Sequence, residues 1–305
     1  MGKALALIIS CSAMILTLTA RPLVRAEGLT PGPATYESAC APCHGRLGDG
    51  KGPVATNLEP APRDFTRGVF KYRSTPSGKL PTDNDLMRTI WRGVPGTAMP
   101  GWQGTLPESD IRAVAQYVKT FSPKFARRGP PTEVEPPAVA DPGPRNREEG
   151  RRYYLLFRCW ECHGIHGSGN GPSAMTLKDD WGHPIRPANF TRGVFRAGAM
   201  PADLFRTLAT GLSGTPMPAY REAMVVGREA LGDMTTLAEH VDSSTLAALR
   251  AFVDTLPTQE QLDGLEPEAK RRLGDTRLWG LVHYVRSLAR PGAWDDLFRS
   301  NAGRY

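Results

Sequence analysis

Two pentads carry the chemistry of this chain. Cys40-Ala41-Pro42-Cys43-His44 sets two thiols and an imidazole at i, i+3 and i+4, on one face of a helical turn. Cys159-Trp160-Glu161-Cys162-His163 repeats the arrangement. Such a face suits covalent haem attachment: the sulfurs of Cys40, Cys43, Cys159 and Cys162 form thioethers with vinyl groups, while His44 and His163 coordinate iron as proximal ligands. Two pentads therefore predict two covalent haem c groups. A zinc site built from both cysteine pairs is the competing reading. Zinc ribbons keep their pairs roughly 15–20 residues apart, whereas these lie on either side of a proline-rich stretch.

Haem iron needs a sixth ligand or an open face, and methionine is the usual partner of histidine in electron-transfer haems. Met99 follows His44 by 55 residues and Met217 follows His163 by 54, both within Gly-Thr-x-Met-Pro. That matched context selects them from nine methionines as the sixth ligands. Met200-Pro201 looks similar locally but lacks a counterpart in the first half. His166 is too close to His163 to reach the opposite face of a haem, His283 reads as a packed helical residue, and His183 and His240 lie in extra segments.

The elements that must hold these groups recur as well. Gly32, Tyr36 and Cys40 fall on one helical stripe. Asp83 to Arg92 reads as a short helix capped by Thr82 or Asp83. A clearer helix starts at Pro107, with Ile111, Val114, Ala115, Val118 and Phe121 along its apolar side. Six prolines in residues 129–144 mark an extended linker. Beyond it, Phe65-Thr66-Arg67-Gly68-Val69-Phe70 reappears letter for letter as Phe190-Thr191-Arg192-Gly193-Val194-Phe195, which implies two copies of one fold. The expected division is 27–128 and 145–305, with an insertion at 220–274 before a closing helix from Arg277 to Leu288. Gly150 and Tyr154 keep their mutual spacing but lie one residue further from their pentad than Gly32 and Tyr36 do from theirs.

Composition narrows the function classes. The chain has 305 residues, 23% charged and 40% hydrophobic. Residues 1–26 read as an export signal with a basic start, an apolar run from Ala4 to Ala20 and a small-residue site at Val24-Arg25-Ala26. An uncleaved anchor and a lipoprotein box at Cys11 are the alternatives. The expected location is the periplasm. The formal charge of +7 falls to +4 once Lys3, Arg21 and Arg25 leave. Four haem propionates cancel the rest, so neither nucleic acid nor an anionic membrane is indicated as a partner. The basic run around the second pentad (Arg145, Arg147, Arg151, Arg152, Arg158) reads as a solvated helix face, with steering of an acidic redox partner as the sharper alternative.

Both halves resemble class I cytochrome c domains: Gly-x-x-x-aromatic on the first helix, Cys-x-x-Cys-His, a Met-Pro loop and a tyrosine-bearing last helix. The whole chain is similar to bacterial di-haem cytochromes c. The resemblance implies an all-α fold of two tandem class I cytochrome c domains joined by the Pro-rich linker. It also implies single-electron transfer between redox protein partners, either free or as a haem subunit of a membrane-bound respiratory complex or dehydrogenase. No catalytic residue and no small-molecule substrate are expected. A di-haem peroxidase is the competing class, and it needs one iron with an exchangeable sixth position.

Overall fold

The computed structural model describes residues 31–129 and 131–290. The expected export segment, with Cys11, lies outside the described residues. Among those described no strand forms, and the only bridge is an isolated antiparallel one between Lys178 and Pro184.

The first half is built on four helices: α1 (Pro31–Thr35), α2 (Ala41–His44), α3 (Asp83–Arg92) and α4 (Glu108–Thr120). A π-helical turn, Tyr36–Cys40, joins α1 to α2. A methyl group on Gly32 would stand 2.7 Å from the Ala113 carbonyl oxygen, so the missing side chain lets α1 pack closely on α4. Thr82 and Asp85 form a capping box that starts α3, each side chain accepting the other's backbone N–H. On α4, Ile111, Val114, Ala115 and Val118 are buried as their spacing requires. They meet Tyr36, Phe70, Leu86 and Ile90 in one core.

A short helix, α5 (Lys124–Arg127), precedes the proline-rich stretch. That stretch is strapped down along its length. Val134 N–H donates to the Ser74 carbonyl at 2.7 Å, Glu135 lies 3.7 Å from Arg206, and His283 Nε2–H donates to the Ala140 carbonyl at 2.9 Å. Proline fixes the backbone direction, and these three contacts fix its position.

The second half repeats the plan with α6 (Pro144–Leu156), α7 (Trp160–His163) and α8 (Pro201–Thr210). Two further helices, α9 (Ser243–Asp254) and α10 (Gln259–Asp263), lead into the long α11 (Pro267–Ser287). The closing helix thus begins ten residues before the expected Arg277. Pro267 supplies its first turn, and nothing in the following sequence breaks it. Gly150 of α6 meets the backbone of Gly280 on α11, the counterpart of the Gly32 contact. The added segment is no loose appendage. Met224, Leu231, Met234, Leu237, Leu249 and Val253 join the core of the second half, and Arg221 pairs with Asp275 through two 2.8 Å contacts.

The one-residue offset has a structural resolution. In the first half the π-helical turn carries the chain from Tyr36 into the pentad. In the second, the helix stops at Leu156 and Arg158 adopts a left-handed backbone with φ +59°, the only non-glycine to do so among the described residues. Both routes end in the same bond: Tyr36 Oη–H donates to the Gly45 carbonyl at 2.8 Å, and Tyr154 Oη–H to the Gly164 carbonyl at 2.6 Å.

Candidate functional site

Each pentad ends beside a cavity. Cys40, Cys43, His44 and Met99 line the first, together with apolar residues such as Phe65, Leu86, Ile90 and Val118. Cys159, Cys162, His163 and Met217 line the second, with Phe190, Phe195, Leu204 and Leu208. The second holds about 600 Å³ and the first is narrower, at about 180 Å³. In each half the structure brings together all four residues singled out from the sequence. His166, His183, His240, His283 and Met200 line neither cavity.

The histidines are held in the same way in both halves. His44 Nδ1 lies 3.1 Å from the Arg63 carbonyl oxygen and His163 Nδ1 lies 3.0 Å from that of Ala188. A carbonyl oxygen only accepts, so Nδ1 carries the proton and Nε2 keeps its lone pair. This is the support that metal-bound imidazoles usually have. The rings also stack on Phe65 and Phe190, with centroids 4.5 and 4.4 Å away. Burial pushes both imidazole pKa values down, which keeps the rings neutral.

The methionine loops match bond for bond. Thr97 Oγ1 accepts from Met99 N–H and Thr215 Oγ1 from Met217 N–H, each at 3.2 Å. The same hydroxyls donate to the carbonyls of Val94 and Leu212, at 2.8 and 2.7 Å. Val94 N–H and Leu212 N–H close the loops onto the Met99 and Met217 carbonyls, both at 3.1 Å. The sequence motif Gly-Thr-x-Met-Pro is therefore a rigid turn in which the threonine sets the methionine backbone.

These residues suit a haem better than a bare ion. The four cysteines are free thiols. Burial raises Cys40 and Cys159 to about 12, so neither presents a thiolate to a metal. No three His, Cys, Asp or Glu side chains are grouped to enclose an ion among the described residues. An apolar cavity with two thiols, an oriented imidazole and a thioether fits a flat, apolar, iron-bearing cofactor.

Comparison with known proteins decides the family. The family described as cytochrome c oxidase, cbb3-type, subunit III matches residues 27–118. The cbb3-type cytochrome c oxidase subunit FixP of Azorhizobium caulinodans is 25% identical over 242 residues, covering 77% of this chain and 60% of that protein. Cytochrome c55X of Paracoccus denitrificans is 36% identical over 80 residues, 26% of this chain and 60% of its own. A chain of the Kuenenia stuttgartiensis reducing HAO-like protein complex aligns with a TM-score of 0.67 and 35% identity, over 86% of this chain and 97% of that one. The chain belongs to the di-haem cytochrome c family. Its helical halves are accordingly tandem class I cytochrome c domains. The chain spans 60% of the length of the curated relatives it matches.

Three features of this cytochrome c site escaped sequence reasoning. The tyrosine of the Gly-x-x-x-Tyr stripe does more than pack, since its hydroxyl ties the first helix to the residue after the pentad. Tyr220, the first residue of the expected insertion, hydrogen-bonds the Cys159 thiol. Finally, Glu59, Pro60, Lys71 and Tyr72 of the first half help to line the second cavity. Only the position of Lys71-Tyr72, directly after the repeated hexapeptide, hinted at a role for that pair.

Proposed function

We propose that this cytochrome carries two covalent haem c groups and passes single electrons between redox proteins in the periplasm, free or as a subunit of a larger oxidoreductase complex. When bound, haem c supplies a one-electron ferric/ferrous couple. Cys40 with Cys43 and Cys159 with Cys162 hold the two groups. His44 with Met99 and His163 with Met217 are the axial pairs. The protein's part is orientation and exclusion of water: carbonyls fix the imidazoles, threonines fix the methionine loops, and apolar walls set the polarity around iron.

One observation carries this reading. The histidine support and the methionine turn occur in both halves with matching partners and distances. A half specialised for catalysis needs a sixth position that a substrate can enter, and neither half departs from the other in its loop. The relatives supply the context: one is named as a subunit of a cbb3-type cytochrome c oxidase and another belongs to a reducing HAO-like protein complex. Donor and acceptor are accordingly proposed to be proteins.

The test is the mass and spectrum of chain exported with haem-attachment machinery. The expected product carries two haem masses and is low-spin throughout. One haem, or rapid reduction of peroxide by the wild type, would overturn the proposal in favour of a different assignment or an enzyme.

A further inference from the structure

The two cavities share a wall. Pro60, Lys71 and Tyr72 line both of them, and all three belong to the first half. Lys71 stands among charges of both signs. Arg63, which lines the first cavity, and Arg196, which lines the second, both act on it as like charges. Asp179 acts on Lys71 in the opposite sense, and Asp64 and Asp180 join it in countering Arg63. The Tyr72 hydroxyl is bonded to Arg196. The Arg63 guanidinium stacks 4.4 Å from the centre of the Trp181 ring.

A half-buried ammonium between two cavities is costly unless neighbouring charges or the occupants compensate it. Burial and the neighbouring guanidinium groups already push the Lys71 ammonium down to about 8. Cofactors that each bring two carboxylates would add negative charge on both sides of this ammonium. A positive charge near iron also favours the reduced form, which carries one positive charge fewer.

We propose that Lys71 is a shared potential-setting residue, a single ammonium in the dividing wall that raises the midpoint potentials of both haems. It is a positioning charge and not a ligand, because it acts on each iron through space. The assignment rests on the two-haem reading above and adds that one side chain of the first half governs the second centre as well as its own.

The experiment is a spectroelectrochemical titration of the full-length holoprotein, with haem content measured on the same sample. Lys71→Gln should lower both midpoints while leaving two low-spin haems, and Lys71→Arg should leave both near wild type. Two haems with only one midpoint moved, or with neither moved, would overturn the proposal alone. A single haem in wild type would overturn the two-haem reading and this proposal with it. If glutamine at 71 blocks haem incorporation, restoration of both haems and both midpoints by arginine supports the assignment. Failure of arginine to restore them overturns it.

Discussion

The Arg73 guanidinium, from the first half, donates to the carbonyl of Gly211 in the second, Nη1 to oxygen at 3.2 Å, with Nη2 on the Thr210 carbonyl at 2.9 Å. Those carbonyls end α8, whose last turn leads directly into the Met217 loop. A cation at a helix C-terminus satisfies orphan acceptors and complements the helix dipole. Arg73 is 3% exposed, so water cannot replace it. Arg73→Ala should cost about 2 kcal/mol, as for a buried charge-assisted hydrogen bond. It should weaken methionine ligation in the second half and leave the first unchanged. Denaturant unfolding, together with the thioether-to-iron absorption of the ferric protein, checks both parts.

The methionines themselves give the clearest separation of the two centres. Met217→Ala should remove about half of that absorption, lower one potential and leave the other near wild type, because thioether ligation raises the potential of a His-ligated haem. Met99→Ala should do the same for the other centre. Gain of weak peroxide activity only in the opened variants would agree with an electron carrier. Unchanged spectra would remove these residues from the ligand set.

Much of this was legible in the sequence, and the boundary has physical causes. The pentads and the Gly-Thr-x-Met-Pro loops are local, so their residues could be chosen from spacing alone, and each set of four lines one cavity. Helix α4 followed from its apolar stripe and α3 from Thr82. The start of α11 did not. The stretch from Pro267 to Asp275 is rich in charge, and the Asp275–Arg221 pair that anchors its inner end joins residues 54 positions apart. Contacts such as Lys71 with the second cavity join residues more than eighty positions apart, and no local pattern encodes them.

Helix crossings tightened by glycine should be intolerant of even one methyl group. Gly32→Ala places a carbon 2.7 Å from the Ala113 carbonyl oxygen, and Gly150→Ala drives one into the Gly280 backbone. Backbone cannot rotate out of the way as a side chain can. Each substitution should destabilise its own half by about 1–3 kcal/mol, the usual cost of overpacking. Thermal unfolding of the holoprotein measures it, and a loss below a few tenths would show that the helices can separate freely.

The shared wall makes the halves unequal when cut apart. Every residue around the first cavity comes from the first half, whereas the second cavity borrows Glu59, Pro60, Lys71 and Tyr72. A fragment of residues 27–128 should therefore keep its potential, and one of residues 145–305 should show a more water-accessible haem with a lower potential. Identical potentials for fragment and intact protein in the second half would argue against this dependence.

Acid should loosen the segment that follows Met217 at one identifiable point. Asp242 caps α9, accepting from Thr245 N–H at 2.8 Å and from the Ser244 and Thr245 hydroxyls, and these bonds lower its carboxyl to about 2 from an ordinary 3.8. A depressed carboxyl contributes stability above its unfolded value, and that contribution disappears as the pH falls through about 2. Asp242→Ala should be less stable than wild type near neutrality, with the difference vanishing towards pH 2. Asp242→Asn should retain most of the neutral-pH stability, since asparagine also caps. A pH-independent difference would point to packing instead.

Arg158 leaves a different kind of consequence. Its left-handed backbone lets the second half hold one extra residue between Tyr154 and Cys159, while the tyrosine hydroxyl still finds the carbonyl after the pentad. The junction is slack: helix length and haem register are adjusted separately there. Glycine at 158 would take the same φ without strain, exchanging the Glu161 ion pair for a freer joint. The hinge thus absorbs a one-residue difference in helix length while the pentad keeps its place beside its cavity.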